Sequence, residues 1–344
     1  MKKGVLIIMQ TIDLTDNVLG VFHNWVKVLA KHETKVLVIA LQKGIVDLPS
    51  NVKLFSLEKE NGKSKLNQLC KFYRLILALR NEYQRVLVHM TPIWVLLGYP
   101  VWKLLHKKVF LWYAHGTVDI KLRIAHQLVD GIFTSTSEGF RIKSKKVFVL
   151  GQGIDTNFFT PILPQPQRNA DEYIILSVGR ISPSKDYMTL FNSIALLGEA
   201  KKDTRVLIYG LPKTEKDQEY FIWLKNEQER LGLHNVEFKG SAIHSEMPKI
   251  YNRAHVLVNT SLTGSADKVV LEAMASGINV LSCNDAYREM LEEKYTFASG
   301  DSKELAKKLF YFYFNREVSP ELRRKVIVEH NVHTLIKRIV ALLD

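Results

Sequence analysis

Cysteine is nearly absent: Cys70 and Cys283 are the only two in 344 residues, too few and too far apart to staple a small scaffold or hold a metal cluster by themselves. Such low usage points to a reducing compartment. Long apolar runs are missing too. The most membrane-like stretch, residues 93–102 (IWVLLGYPVW), is broken by Gly98 and Pro100 and stopped by Lys103, well short of the roughly 20 residues that span a bilayer. Residues 5–9, after Lys2 and Lys3, are too short for the apolar core of a secretory leader and read as a first strand. A cytoplasmic protein, soluble or peripheral on the cytoplasmic face of a membrane, is therefore expected. The loop after that strand, residues 11–20 (TIDLTDNVLG), lacks G-x-G-x-x-G, which removes most of the case for a bound NAD. No helix-turn-helix, zinc or stacking-platform pattern occurs, so a nucleic-acid partner is not expected. Solenoid repeats and low-complexity segments are absent as well.

Acidic residues are scarce in one half only. Residues 1–160 hold 23 Lys and Arg against 11 Asp and Glu, whereas residues 161–344 hold 25 against 24. Nearly all of the net charge of +13 thus sits on the first half. A basic domain beside a neutral one implies a polyanionic partner or surface for the former. Composition is otherwise globular, with 47% hydrophobic and 24% charged residues, and the length suits two domains.

Strands and helices alternate in both halves. In the first, strands are expected at residues 5–9, 35–40, 52–56, 85–89, 109–113, 132–135 and 146–149, with helices at 21–31, 65–83 and 92–105. Residues 151–170 contain Pro161, Pro164 and Pro166 and few apolar side chains, which places a linker there. The second half repeats the pattern: strands at 173–178, 205–209, 236–239, 255–260 and 280–281, and helices at 188–197, 215–231, 247–252, 269–275, 302–314, 320–326 and 333–343. This alternation gives two doubly wound parallel sheets of the Rossmann-like α/β class.

Chemistry concentrates at two places in the second half. Residues 264–277 (GSADKVVLEAMASG) follow a β-branched run and open a short helix ended by Gly277. The free N–H groups and positive dipole end of such a helix suit a phosphate or diphosphate, and Glu272, about one turn in, suits a ribose diol. The strand at 173–178 runs into Gly179-Arg180-Ile181-Ser182-Pro183-Ser184-Lys185. Arg180 offers planar bidentate hydrogen bonding and Lys185 a mobile point charge, both directed to phosphate oxygens. In the first half, His115 lies where a strand hands over to a loop beside Gly116, the edge at which open α/β sheets bind ligands.

The runs ILSVGRISPSKD, NVEFKGSAIHSEMPKIYNRAHVLVNTS and DKVVLEAMASG, with GQGID at the exit of the first half, resemble glycosyltransferase family four. The resemblance is strong through the second half and thinner in the first. It implies retaining, metal-independent sugar transfer on the GT-B fold, in which two Rossmann-like domains face each other across a cleft. The implied domains are residues 1–155 on the acceptor side, a linker at 156–170, a nucleotide-sugar domain at 171–328, and a helix at 329–344 crossing back to the first domain. Arg180 and Lys185 match the pair that clamps the donor diphosphate. The N–H groups of Lys268 and Val269 match the phosphate-binding helix start, and Glu272 matches the second Glu of the Glu-x7-Glu motif. Gly20 matches the first-domain glycine loop, here reduced to Leu19-Gly20. His115 matches the histidine near the transferred sugar, and Ala242 lies where backbone would face the base. One departure concerns the first Glu of that motif, whose place is taken by Gly264. Asp267, in the same loop, offers another carboxylate for the sugar hydroxyls.

The implied donor is a nucleoside-diphosphate sugar and the implied acceptor a hydroxyl of a lipid-linked or cell-surface glycan precursor, with no cofactor. The basic domain and the helix at 65–83 add an anionic membrane surface as a partner. A nucleotide-sugar epimerase and a non-catalytic partner of another transferase share this architecture, and Gly264 keeps the latter open.

Overall fold

The computed structural model describes residues 4–16, 20–162 and 172–344. The chain divides into two compact units, Met1–Gly153 with Val332–Asp344, and Ile154–Asn331.

The first unit runs β1 (Gly4–Ile12), α1 (Val21–Ala30), β2 (Val36–Lys43), β3 (Val52–Ser56), α2 (Lys65–Ala78), β4 (Tyr83–His89), α3 (Pro92–Leu104), β5 (Lys108–Trp112), α4 (Ile120–Leu128), β6 (Gly131–Thr134) and β7 (Val147–Val149). Its strands are parallel and ordered β3-β2-β1-β4-β5-β6-β7. The central strands are apolar along their length because helices cover both faces. Alternate residues of β1 divide between two cores. Val5, Ile7 and Met9 pack with Trp25 of α1 and with Leu335 and Ile339 of the C-terminal helix. Leu6 and Ile8 face Phe72, Trp94, Trp102 and Leu122, contributed by α2, α3 and α4. Trp25 Nε1 also donates to the Gly153 carbonyl at 3.2 Å.

Two elements of this unit differ from the sequence expectation. The helix expected over 65–83 stops at Ala78, and Tyr83 instead begins β4. Tyr83 is fully buried and donates its hydroxyl to the Ile76 carbonyl at 3.0 Å, so the chain turns back beneath its own helix. Helix α4 was not expected at all. Its N-cap is Asp119, whose carboxylate accepts from the Leu122 N–H at 2.8 Å, and a buried Leu122–Ala125 stripe holds it down.

The second unit runs β8 (Tyr173–Val178), α5 (Tyr187–Ala195), β9 (Thr204–Tyr209), α6 (Glu215–Arg230), β10 (Val236–Gly240), α7 (Met247–Arg253), β11 (Val256–Asn259), α8 (Lys268–Ala275), β12 (Asn279–Ser282), α9 (Ser302–Phe314) and α10 (Pro320–Glu329). Helix α11 (Val332–Leu343) follows and belongs to the first unit. The parallel order is β10-β9-β8-β11-β12. Chain direction along the sheet reverses between β8 and β11, which makes the carboxyl ends of those two strands the topological switch point.

The stretch read as a linker from 156 begins inside this unit. Phe159 is buried, and Arg323 of α10 donates to the Phe159 carbonyl at 2.9 Å and the Thr156 carbonyl at 3.1 Å. Pro164 and Pro166 lie outside the described residues, as does Leu19. Among the described residues, no helix is long and apolar enough to cross a membrane.

Candidate functional site

Because every strand of the second sheet is parallel, the loops that follow them share one edge. The loops after β8 and β11, on either side of the switch point, are stitched together. Thr260 Oγ1 donates to the Lys185 carbonyl at 2.6 Å, and the Leu262 N–H donates to the Ser184 carbonyl at 2.9 Å. That stitching fixes the side chain of Lys185 over the second loop. Its ammonium lies 2.7 Å from Asp267 Oδ1 and 3.2 Å from Ser261 Oγ. Both members of the ion pair are largely shielded, at 16% and 17% side-chain exposure.

Asp267 is also the N-cap residue of α8, yet its side chain caps nothing. Oδ1 is taken by Lys185 and Oδ2 accepts from Asn259 Nδ2 at 3.0 Å. The Asp267 carbonyl accepts from the Tyr287 hydroxyl, which pins the loop from beneath. The first turn of α8, carrying Lys268 and Val269, is therefore presented without a side-chain cap and beside a cation. Such a helix start draws anions. Both elements come from the same two loops.

Glu272 sits one turn further along α8 and is buried. The Tyr251 hydroxyl donates to its Oε2 at 2.8 Å. Burial raises the Glu272 carboxyl above the usual range, opposed by the Tyr251 hydrogen bond and by the Lys268 charge. Burial likewise lowers the Lys268 ammonium, opposed by Glu272. Removing the Tyr251 hydroxyl should leave a buried acceptor unmatched. Tyr251→Phe is expected to cost about 1–3 kcal/mol of folding stability, read from the urea midpoint. An unchanged midpoint would show that the hydrogen bond holds nothing.

Arg180 goes elsewhere. Its side chain is half exposed, and its Nε lies 3.8 Å from Asp217 Oδ2 at the start of α6. Burial works to raise the Asp217 carboxyl, but the Lys213 N–H, Thr214 and the Arg180 charge lower it on balance. Thr214 and Asp217 form the reciprocal capping box of α6. The two cations expected as one clamp thus face different carboxylates, Arg180 that of Asp217 in the first turn of α6 and Lys185 that of Asp267 at the start of α8. Lys185 is the firmly held one. Ala242, on the loop after β10, is half-buried against the core at the same edge.

Gly264 has φ +63°, the left-handed region. A glutamate at this position would carry backbone strain of about 1–3 kcal/mol, so this loop, as folded, favours glycine where the family pattern has its first Glu.

His115 and Gly20 lie in the first unit, each after the carboxyl end of a strand. His115 is exposed after β5, with Nδ1 accepting from the Thr117 N–H at 3.1 Å. In the neutral ring this places the proton on Nε2. Gly20 begins α1 in a crowded position: a Cβ there would lie 2.5 Å from the Asp16 carbonyl oxygen. Its lack of a side chain is needed for packing whatever else it does.

Sequence reading missed Asn259, Ser261, Tyr251, Tyr287 and Asp217 as parts of this site. Asn259 and Ser261 had a signal, polar side chains at the carboxyl end of an apolar strand. Asp217 had its capping-box spacing from Thr214. The two tyrosines had none: nothing in their spacing tells that their hydroxyls turn to Glu272 and to the Asp267 carbonyl.

Residues 159–329, within the second unit, match the family described as Glycosyl transferases group 1. Over 180 residues the chain is 26% identical to the mannosylfructose-phosphate synthase of Agrobacterium fabrum (strain C58), covering 46% of this chain and 40% of that protein. Over 138 residues it is 30% identical to one subunit of the human phosphatidylinositol N-acetylglucosaminyltransferase, covering 40% of this chain and 26% of that protein. Both matches thus span less than half of these relatives. Along its whole length the chain superimposes on the crystal structure of Anabaena HepE in complex with UDP, with a TM-score of 0.80 at 17% identity, covering 100% of this chain and 99% of that one. The fold class is that of GT-B glycosyltransferases, with two Rossmann-like parallel-sheet units.

Proposed function

We propose that the chain is a retaining glycosyltransferase that moves a sugar from a nucleoside-diphosphate sugar to a hydroxyl acceptor. The observation that carries this reading is Lys185, held over the uncapped start of α8 at the sheet's switch point, with Glu272 one turn behind. HepE, similar in fold, is known in complex with UDP, which favours a uridine nucleotide as the donor's base.

In this reading the diphosphate lies against the first turn of α8 and takes over the Lys185 ammonium from Asp267. Asp267 then turns an oxygen to the sugar hydroxyls, in place of the carboxylate that Gly264 does not provide. Glu272 receives the ribose hydroxyls. As the bond from the anomeric carbon to the phosphate oxygen breaks, its electron pair stays on the phosphate. Lys185, Arg180 and the N–H groups of Lys268 and Val269 stabilise that charge. The acceptor oxygen bonds to the anomeric carbon on the same face and gives its proton to the departing phosphate. His115 serves as a hydrogen-bond donor to the transferred sugar. The acceptor class proposed is a lipid-linked or cell-surface glycan precursor, in keeping with the phosphatidylinositol named for the human relative.

The test is thermal unfolding with UDP, GDP, ADP and their sugars. A ligand at 100 times its dissociation constant should add about 2.7 kcal/mol of stability. UDP is expected to raise the midpoint most, and no shift with any nucleoside diphosphate would overturn the assignment. Gly264 favours a second reading, a nucleotide-sugar-binding partner that does not turn over. It predicts the same thermal shift with no release of nucleotide.

A further inference from the structure

Helices α2, α3 and α4 form one layer on the first sheet, packing their inner faces into a single core. Their outer faces are unusual in two ways. Not one Asp or Glu occurs within α2 (KLNQLCKFYRLILA), α3 (PIWVLLGYPVWKL) or α4 (IKLRIAHQL). Each also exposes large aliphatic side chains along a stripe at helical spacing: Leu66 and Leu77 on α2, Ile93 and Leu104 on α3, Ile120 and Ile124 on α4. Leu104 and Leu66 are the most open, at 79% and 68% exposure.

Scattered exposed leucines need no explanation, but this arrangement is not scattered. On α4, Ile120 and Ile124 are flanked by exposed Lys121 and Arg123, and on α3 Leu104 follows exposed Lys103. Lys65 and Arg74 are exposed on α2. Among the described residues, none of these five cations forms an ion pair with a carboxylate. Two carboxylates adjoin the layer and both are engaged, Asp119 in capping α4 and Glu58 in pairing with Lys71 of α2; the helices themselves combine one sign of charge with exposed aliphatic side chains.

We infer that the α2–α3–α4 layer is a docking surface for a bilayer rich in anionic phospholipid, in which Leu66, Leu104 and Ile120 enter the headgroup boundary and the flanking Lys and Arg meet the phosphates. The pattern of an aliphatic centre and a cationic margin is that of interfacial helices, and the long Lys and Arg stems reach outward while covering apolar surface. A nucleic-acid backbone would satisfy the cations but leave the six aliphatic side chains in water.

Sedimentation with vesicles tests this without any sugar nucleotide, so its outcome is independent of the transferase reading. Vesicles of equal parts phosphatidylcholine and phosphatidylglycerol should bind the protein, and vesicles of phosphatidylcholine alone should bind it far less. Each cation near an anionic surface adds a similar increment, so Lys121→Glu with Arg123→Glu should weaken partitioning by at least about 30-fold. Leu104→Ser with Ile120→Ser should weaken it at unchanged charge. A control on exposed α6, Lys216→Glu with Lys225→Glu, should leave it unaltered, and circular dichroism would show that every variant folds. No binding to anionic vesicles, equal loss in the α6 control, or no loss from Leu104→Ser with Ile120→Ser would each overturn the inference. Tighter binding to a DNA duplex than to the vesicles would overturn it as well.

Discussion

Sugar transfer by a Lys185→Ala protein is expected to fall roughly 10²–10³-fold in kcat, the loss typical of removing one preorganised group from a charge-stabilising site. The side chain is held in place before any ligand arrives: its carbonyl is bound by Thr260, and its ammonium by Asp267 and Ser261. Once the diphosphate has taken the ammonium over from Asp267, no further movement is needed as charge develops on the leaving phosphate. Arg180 is half exposed and its nearest carboxylate oxygen is 3.8 Å away, so Arg180→Ala should cost less, and the double variant somewhat more than Lys185→Ala alone. Asp267→Asn separates two roles for the carboxylate. If Asp267 only restrains Lys185, the variant binds UDP at least as tightly and keeps its turnover. If it also receives the sugar hydroxyls, turnover falls while UDP binding holds. Release of UDP from a panel of UDP-sugars measures turnover, and the thermal shift with UDP measures binding. Unchanged turnover in Lys185→Ala, with folding verified by its melting curve, would remove the diphosphate clamp from the mechanism.

Much of this site was legible because its two loops are local features. Arg180 and Lys185 follow a buried strand at once, and residues 264–277 announce a loop, a helix and its Gly277 stop. Parallel alternation then places both loops on one sheet edge. What the sequence could not reveal is which carboxylate each cation meets. That depends on strand order: β11 lies beside β8, although α5, β9, α6, β10 and α7 come between them in the chain. Tyr251 on α7 and Tyr287 after β12 lie close to α8 in the chain, but no pattern marks their hydroxyls as partners of Glu272 and of the Asp267 carbonyl. The end of α2 was misread for a related reason, since an apolar run at helical spacing continues through Tyr83 while burial of that residue belongs to the sheet. Helix α4 escaped notice because its buried stripe is short and its exposed face carries isoleucines.

In the first unit, Arg85→Ala is expected to cost about 3–5 kcal/mol, a large share of a domain's ordinary stability. Arg85 on β4 makes a two-point contact with Glu33, Nη1 to Oε1 at 3.0 Å and Nη2 to Oε2 at 2.7 Å. The Glu33 side chain is fully buried and that of Arg85 almost so, at 0% and 5% exposure. Truncating the arginine strands a carboxylate with no water to replace its partner, and that penalty is larger than the net worth of the intact pair. Arg85 Nη1 also meets Asp344 Oδ1 at 2.7 Å, but Asp344 is 43% exposed, so its share is modest. Replacing both buried partners, Arg85→Met with Glu33→Leu, should restore most of the loss, since an apolar pair of similar volume leaves no stranded charge. Urea unfolding of the unaltered protein, Arg85→Met, Glu33→Leu and the double variant forms a closed cycle that isolates the coupling. A cost for Arg85→Ala below about 1 kcal/mol would mean that the site admits water and that the pair behaves as an exposed one. The pair sits near the amino ends of β2 and β4, away from the ligand edge, and Lys185 belongs to the other unit. Affinity for UDP should therefore stay constant through the whole cycle while the unfolding midpoint moves.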